Sequence, residues 1–223
     1  MKEKLVLEHS PELAEIIGIM MGDGCIYLDK KGKYQTSIAC HKQEIQYQHY
    51  LKELFENHFN YKFGIIELHT EVLVRNISKA VGTYLIEAGL KSGNKVKNKI
   101  TPPNWIKEKK IYMMRFLRGF FDTDGCVYRK FGQYAQIQVK TACEETTNSI
   151  KDAMLFLGFR PTRVQKEVNT VKGKICHSWK VYLIRQNEIK RFFEEIKPMN
   201  RKHIRRYIKI NVIMNVIMNV FMK

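Results

Sequence analysis

Two carboxylates stand in matching surroundings in the two halves of this chain. Asp23 closes the run IIGIMMGDG over residues 16–24, and Asp124 closes LRGFFDTDG over residues 117–125. Both runs are apolar, carry Gly at the third position and end in Asp-Gly. The acids lie 101 positions apart in 223 residues, so each half holds one. Gly24-Cys25-Ile26-Tyr27 after the first run answers Gly125-Cys126-Val127-Tyr128 after the second, which marks an internal duplication. A single Asp-Gly is commonly a helix-ending turn. Two on matched segments form a pair: brought side by side they repel, and a divalent cation relieves that repulsion.

Helices must position them. Ser10 suits an N-cap with Pro11 and Glu12 in the first turn, and residues 111–118 contain no helix breaker. Gly18 and Gly22 are four apart, as are Gly119 and Thr123, which places two small residues on one face of each helix. Gly inside a helix costs about 1 kcal/mol relative to Ala. Close approach of the two helices gives that cost a reason, and it brings Asp23 and Asp124 out at the same end.

The paired runs resemble the LAGLIDADG homing endonuclease family in its single-chain, two-repeat form. The first copy keeps the third-position Gly and the closing Asp-Gly, with Met21 where the motif has its first acid. The second keeps Asp122, Asp124 and Gly125, with Arg118 and Thr123 in place of Ala. The resemblance implies that the last acid of each copy is the metal-binding catalytic one, and both are present.

Composition sets bounds. The net charge of +17 points to a polyanionic partner, although a ribosomal or membrane-surface protein would share that balance. Five Cys without a C-x-x-C pair argue against a disulfide framework and a structural zinc site. Cys25 and Cys126 are expected as small buried residues. The sequence shows no targeting signal and no apolar run of about 20 residues, so the expectation is a soluble intracellular protein, in cytoplasm or organelle matrix, under reducing conditions.

In chain order the first half reads as the motif helix 10–22, a hairpin over 25–41, a helix over 44–59, a hairpin over 63–77 and a helix over 78–88 stopped by Gly89. A basic stretch at 91–99 follows. The second half reads as a motif helix over 110–123, a hairpin over 127–140, a helix over 145–157, a hairpin over 163–184 and a helix over 187–196, with Arg201, Lys202, Arg205 and Arg206 beyond it. The reading is α+β: two αββαββα repeats at 1–100 and 110–210, joined by a linker at 101–109, with a tail at 211–223. Alternation along the hairpins suggests antiparallel sheets with one face on helices and one open. The resemblance makes the two sheets a DNA-binding saddle with the motif helices packed at the interface.

Gln, Lys and Arg at alternate strand positions suit base and phosphate recognition. The DNA-binding candidates are Lys30, Lys31, Lys33, Gln35, Ser37, His41 and Arg75 in the first half. Those in the second are Arg129, Lys130, Gln133, Gln136, Gln138, Lys140, Arg163, Lys172, Lys174 and Lys180. The chemistry implied is phosphodiester hydrolysis on double-stranded DNA by a monomer with pseudo-twofold symmetry, at a long asymmetric site. Asp23 and Asp124 would hold metal with backbone oxygens near Gly22 and Thr123. Hard oxygen ligands favour Mg²⁺ over zinc, with Mn²⁺ expected to substitute. The family also places a basic residue, usually Lys, near each scissile phosphate; Lys99, Lys202, Lys140 and His41 are the candidates.

His9, His69, His177 and His203 show no metal-ligand spacing and read as surface or sheet residues. Trp105 and Trp179 read as core or capping aromatics. The period-four tail is open between a docked helix and an end without function. Two functional classes follow: a site-specific endonuclease of a mobile intron, and an intron maturase or nucleic-acid-binding regulator on the same scaffold without cleavage. No splicing-domain sequence surrounds the motifs, which weighs against an intein, and the Asp-Gly ends do not resemble a calcium loop.

Overall fold

The structure, a computed structural model, describes residues 5–30, 32–130, 134–171 and 173–221. The first half comprises α1 (Pro11–Met21), β1 (Gly24–Leu28), β2 (Tyr34–Cys40), α2 (Ile45–Phe59), β3 (Gly64–Glu67), β4 (Val72–Ile77) and α3 (Lys79–Glu87). The second comprises α4 (Lys110–Asp124), β5 (Gly125–Lys130), β6 (Tyr134–Thr141), α5 (Glu144–Phe156), β7 (Gln165–Val171), β8 (Lys174–Leu183) and α6 (Gln186–Glu195), followed by α7 (Arg201–Phe221). Each half forms a four-stranded antiparallel sheet, ordered β1-β2-β4-β3 and β5-β6-β8-β7. The fold is α+β with two αββαββα repeats.

The most extensive packing between any two elements joins α1 to α4. α1 starts where Ser10 Oγ accepts the Leu13 amide at 3.0 Å, with Pro11 in its first turn. Every residue from Leu13 to Met21 is buried, as expected for a helix apolar on all sides. The glycines set its distance from α4. A Cβ on Gly18 would collide with the Phe116 carbonyl and lie 2.8 Å from the Phe120 amide. A Cβ on Gly119 would collide with the Glu15 carbonyl and lie 3.0 Å from the Ile19 amide. The contact is reciprocal, backbone on backbone.

One polar cluster crosses this seam. Glu15 is fully buried, accepts from Arg118 and from the Tyr50 hydroxyl on α2, and forms an ion pair with Arg115, whose Nε lies 2.9 Å away. Arg118, which departs from the motif's Ala, therefore answers an acid of the opposite repeat. Burial and the Glu15 charge together raise the Tyr50 hydroxyl well above its usual range, so it stays a donor.

Two segments differ from the sequence expectation. Residues 101–109 contain a 3-10 helix, Asn104–Glu108, whose buried Trp105 donates from Nε1 to the Ala88 carbonyl at 3.1 Å and stacks on His9. Residues 201–210, read only as a basic stretch, belong to α7, which packs on β5 and stacks Tyr207 on Phe193 of α6. Cys25 is exposed and Cys126 half-buried, because both face outward on edge strands where alternation turns Ile26 and Val127 inward.

Gly18→Ala is expected to destabilise by about 1–3 kcal/mol or more through overpacking. Gly64→Ala, whose Cβ would meet only the Arg75 carbonyl at 3.9 Å, is expected to change stability by less than about 0.5 kcal/mol. Chemical denaturation of both variants checks the contrast; equal costs would refute the close-contact account.

Candidate active site and nucleic-acid face

Asp23 lies in the turn between α1 and β1 and is the more exposed acid, whereas Asp124 is the half-buried last residue of α4. A Cβ on Gly22 would stand 3.1 Å from Asp124 Oδ2, so Asp124 lies against the end of the opposite motif helix. Burial raises the Asp124 carboxyl to about 7, with the Asp23 charge adding to the rise. Burial likewise raises Asp23. Lys202 and Lys95 oppose both shifts.

Lys95 is the cation that sequence reasoning missed. Its Nζ donates to the Gly22 carbonyl and faces both acids. Lys99, expected in that place, is corrected: its backbone is left-handed at φ 45° and its exposed ammonium pairs with Glu145 at 2.8 Å. A signal was present in the repeat itself, since Lys91-Ser92-Gly93-Asn94-Lys95 parallels Lys197-Pro198-Met199-Asn200-Arg201. Lys202 lies in the first turn of α7, 3.1 Å from Glu44, and its charge reaches both acids.

The start of α7 is fixed by Asp122. Its buried carboxylate accepts the Met199 amide at 2.8 Å and the Asn200 amide at 3.0 Å, while Asn200 Nδ2 donates to its carbonyl at 3.1 Å. An acid at a helix N-terminus meets unpaired amides and the positive end of the dipole. Burial still raises Asp122 to about 7, against the pull of those two amides. His203 is corrected from a surface residue to a fully buried one, packed on Phe121 with Nε2 3.4 Å from the Asp122 carbonyl. Burial depresses it to about 3, which keeps the ring neutral.

Two clefts flank the acids. One, of about 820 Å³, runs between the His41–Tyr47 corner of the first repeat and the start of α7, with Gly125, Lys202, Arg205 and Arg206 in its walls. The other, of about 420 Å³, holds Asp124, Gly22 and Lys95 against the β6–α5 corner, including Lys140 and Cys143. His41 thus lines the first cleft and Lys140 the second. Lys140 is also paired with Glu167 at 2.5 Å. The Thr123 hydroxyl turns back to the Phe120 carbonyl at 2.9 Å.

Strand register sorts the remaining candidates. Gln35, Ser37 and Arg75 share the open face of the first sheet, but Ser37 is buried between Cys25 and Arg75 of the adjacent strands, its side chain too short to reach past them. Lys30 and Lys33 are exposed at the hairpin tip. On the second sheet Lys130, Gln136, Gln138, Lys140, Lys174 and Lys180 share the open face. Arg129 is corrected: it pairs with Ala135 and takes the parity of buried Val127, which is the helix-covered side. Arg163 is exposed in the coil before β7. Tyr128 donates to Gln136 Oε1 at 2.7 Å and Gln138 donates to the Tyr182 hydroxyl at 3.1 Å, so both glutamines are held in place. Lys31, Gln133 and Lys172 lie outside the described residues.

Asp124 is more basic in the folded chain than the usual carboxyl, so its contribution opposes folding increasingly as pH rises from about 4 through about 7. Without metal, Asp124→Asn is expected to melt higher than the parent at pH 8, with the gap narrowing toward pH 5. Thermal denaturation at both pH values checks this, and a gap independent of pH would refute it.

Residues 112–197 match the family model described as a LAGLIDADG-like domain. The fold is similar to that of the homing endonuclease I-DmoI, at TM-score 0.55 and 14% identity, covering 83% of this chain and 94% of that one. It is also similar to the LAGLIDADG meganuclease I-AabMI solved with uncleaved DNA, at TM-score 0.57 and 12% identity, covering 95% and 92%. A curated relative, the tRNA-splicing ligase RtcB of Methanopyrus kandleri, is 27% identical over 133 residues; the match spans 57% of this chain and 13% of that protein. The second repeat matches the LAGLIDADG-like model, and with the duplicated motif and the helix seam it builds, the chain is similar in fold to single-chain, two-repeat LAGLIDADG endonucleases.

Proposed function

We propose that the chain is a metal-dependent, site-specific endonuclease that hydrolyses one phosphodiester bond in each strand of double-stranded DNA. The observation that carries this is the meeting of Asp23, Asp124, Lys95 and Lys202 at one end of the α1–α4 seam, between two open sheet faces. A protein that only binds a polyanion gains nothing from two carboxylates there.

The donors suit a hard divalent cation. Both acids are raised by burial, and Asp124 further by Asp23, a repulsion that a cation removes. Among the described residues there is no cluster of three His, Cys, Asp or Glu of the kind that cages a metal. Asp23, Asp124 and the Gly22 carbonyl, with the Thr123 carbonyl as its counterpart, would hold Mg²⁺ or Mn²⁺, leaving positions for water and phosphate oxygens. Such an ion supplies charge for the transition state and acidifies water.

The chain's own cations add to this. Lys95, held by the Gly22 carbonyl, offsets part of the repulsion between the acids and is placed to take a phosphate oxygen of one strand. Lys202 takes the other and is held by Glu44 and by the Asp122 cap on α7. The +17 net charge supplies sequence-independent affinity that falls steeply with salt. The sheets read bases, and their differing side chains suit one long asymmetric target. Structures of I-DmoI with DNA and Ca and with DNA and Mn support this reading. A monomer encoded in a mobile intron is consistent with the single-chain duplication.

The test is digestion of a random DNA library with Mg²⁺ by the parent, Asp23→Asn, Asp124→Asn, Lys95→Met and Lys202→Met. The parent is expected to cut one long site, each acid variant to nick or fail, and each lysine variant to slow by about 10²–10³-fold. Cutting that survives both acid substitutions overturns the assignment. Specific binding without cutting in Mg²⁺ or Mn²⁺ replaces it with a maturase or regulator.

A further inference from the structure

We infer that the two halves of the target are read by different chemistry: the first sheet by apolar contact with thymine methyl groups, the second by hydrogen bonds and charge. This deepens the endonuclease reading and rests on it. The two repeats share one strand register, so their open faces correspond row by row.

Nearest the acids, the first sheet presents Ala39, Leu73 and Ile66 side by side across three strands. The corresponding row of the second sheet is Lys140, Lys180 and Gln165, with Glu167 pairing both lysines. The row is anchored at the acid, since the Ala39 amide donates to the Asp23 carbonyl at 3.2 Å. In the middle row Ser37 and Arg75 stand against Gln138 and Tyr182. In the outer row Tyr27, Gln35 and Ile77 stand against Tyr128, Gln136 and, one residue past β8, Ile184, so the contrast between the sheets lies in the row nearest the acids. Tyr27 is 54% exposed and Ile77 55%. An open sheet face of this kind is ordinarily polar. Here the described strands of the first face carry Arg75 as their one cation, with Lys33 beside Asp29 at the hairpin tip, while the second face carries Lys130, Lys140, Lys174 and Lys180.

In the major groove the feature that an aliphatic side chain can select is the thymine 5-methyl group, whereas Gln and Lys address adenine and guanine edges. Leu73, Ile66 and Ile77 bury surface against that methyl and gain nothing from a guanine or cytosine edge. The second face is built the opposite way, with Gln136 and Gln138 fixed by tyrosine hydroxyls and the lysine row balanced by Glu167, itself an acceptor suited to the cytosine amino group.

The experiment is selection of a bound site from random DNA, followed by equilibrium binding to copies in which every thymine of one half is replaced by uracil. Selection repeated with Ile77→Ser and with Gln136→Ala identifies which half faces which sheet. Uracil in the first-sheet half is expected to weaken binding by roughly fourfold for each contacted methyl, and uracil in the second half to leave it within twofold. The variant Leu73→Lys/Ile66→Gln, which copies the second sheet's row, is expected to lose the uracil sensitivity and to select purines in that half. A specific site whose two halves respond alike to uracil overturns this inference and leaves the endonuclease reading intact. Failure to enrich any sequence overturns both.

Discussion

Everything in this molecule hangs on the distance between two helix backbones. α1 and α4 meet where Gly18 and Gly119 each face a carbonyl of the other helix, and no side chain larger than hydrogen fits. That contact fixes where the helices end, and the ends carry the acids. The buried Glu15 gives the contact its pairing rule: it pairs with Arg118 and Arg115 of the opposite repeat. Breaking such a pair strands a charge in low dielectric, at a cost of about 3–5 kcal/mol. Shape brings the repeats close, and charge makes each the partner of the other.

The same contact creates an electrostatic conflict at its end. Desolvation disfavours ionised Asp124, and Asp23 beside it adds repulsion. Lys95 and Lys202 relieve the conflict in part, each delivered from a segment that follows the last repeat helix on its side. Asp122, two residues from Asp124, spends its charge on the amides of Met199 and Asn200 instead. Two aspartates of one motif thus do different work: one organises the helix that carries Lys202, the other faces Asp23 at the end of the seam. Met21 occupies the equivalent place in the first copy, where no helix like α7 follows α3.

The fold was legible because the duplication was. Once the two motif runs aligned, hairpin and helix order repeated with them, and strand alternation told open face from covered face at Gln35, Arg75, Gln136 and Gln138. The losses have physical causes. Lys99 and Lys95 lie in one basic stretch, but which lysine reaches the acids depends on the Gly93 turn at φ 85° and the Asn94 side chain that accepts the Lys97 amide, neither of which a charge run reveals. His203 and the start of α7 were obscured because basic residues dominate 201–206, and the buried side of that helix is identified by what it packs on. Arg129 and Ser37 were misplaced by residue type outweighing parity and size. Glu15 was invisible, since one acid in an apolar helix shows its purpose only when Arg118 is set opposite.

Each cleft is assembled from both repeats. The larger takes one wall from the β2–α2 corner of the first and the other from α7 of the second. The smaller reverses the loan, with Lys95 and Ile100 of the first against Lys140 and Thr146 of the second. Neither repeat owns a complete site, so the fused chain retains the logic of a symmetric dimer in which every site is a joint holding. Ancestry is the consequence: a self-pairing half could have preceded the fusion, and after it the two holdings were free to drift apart. The walls record that drift, one basic and wide, the other narrow and largely apolar.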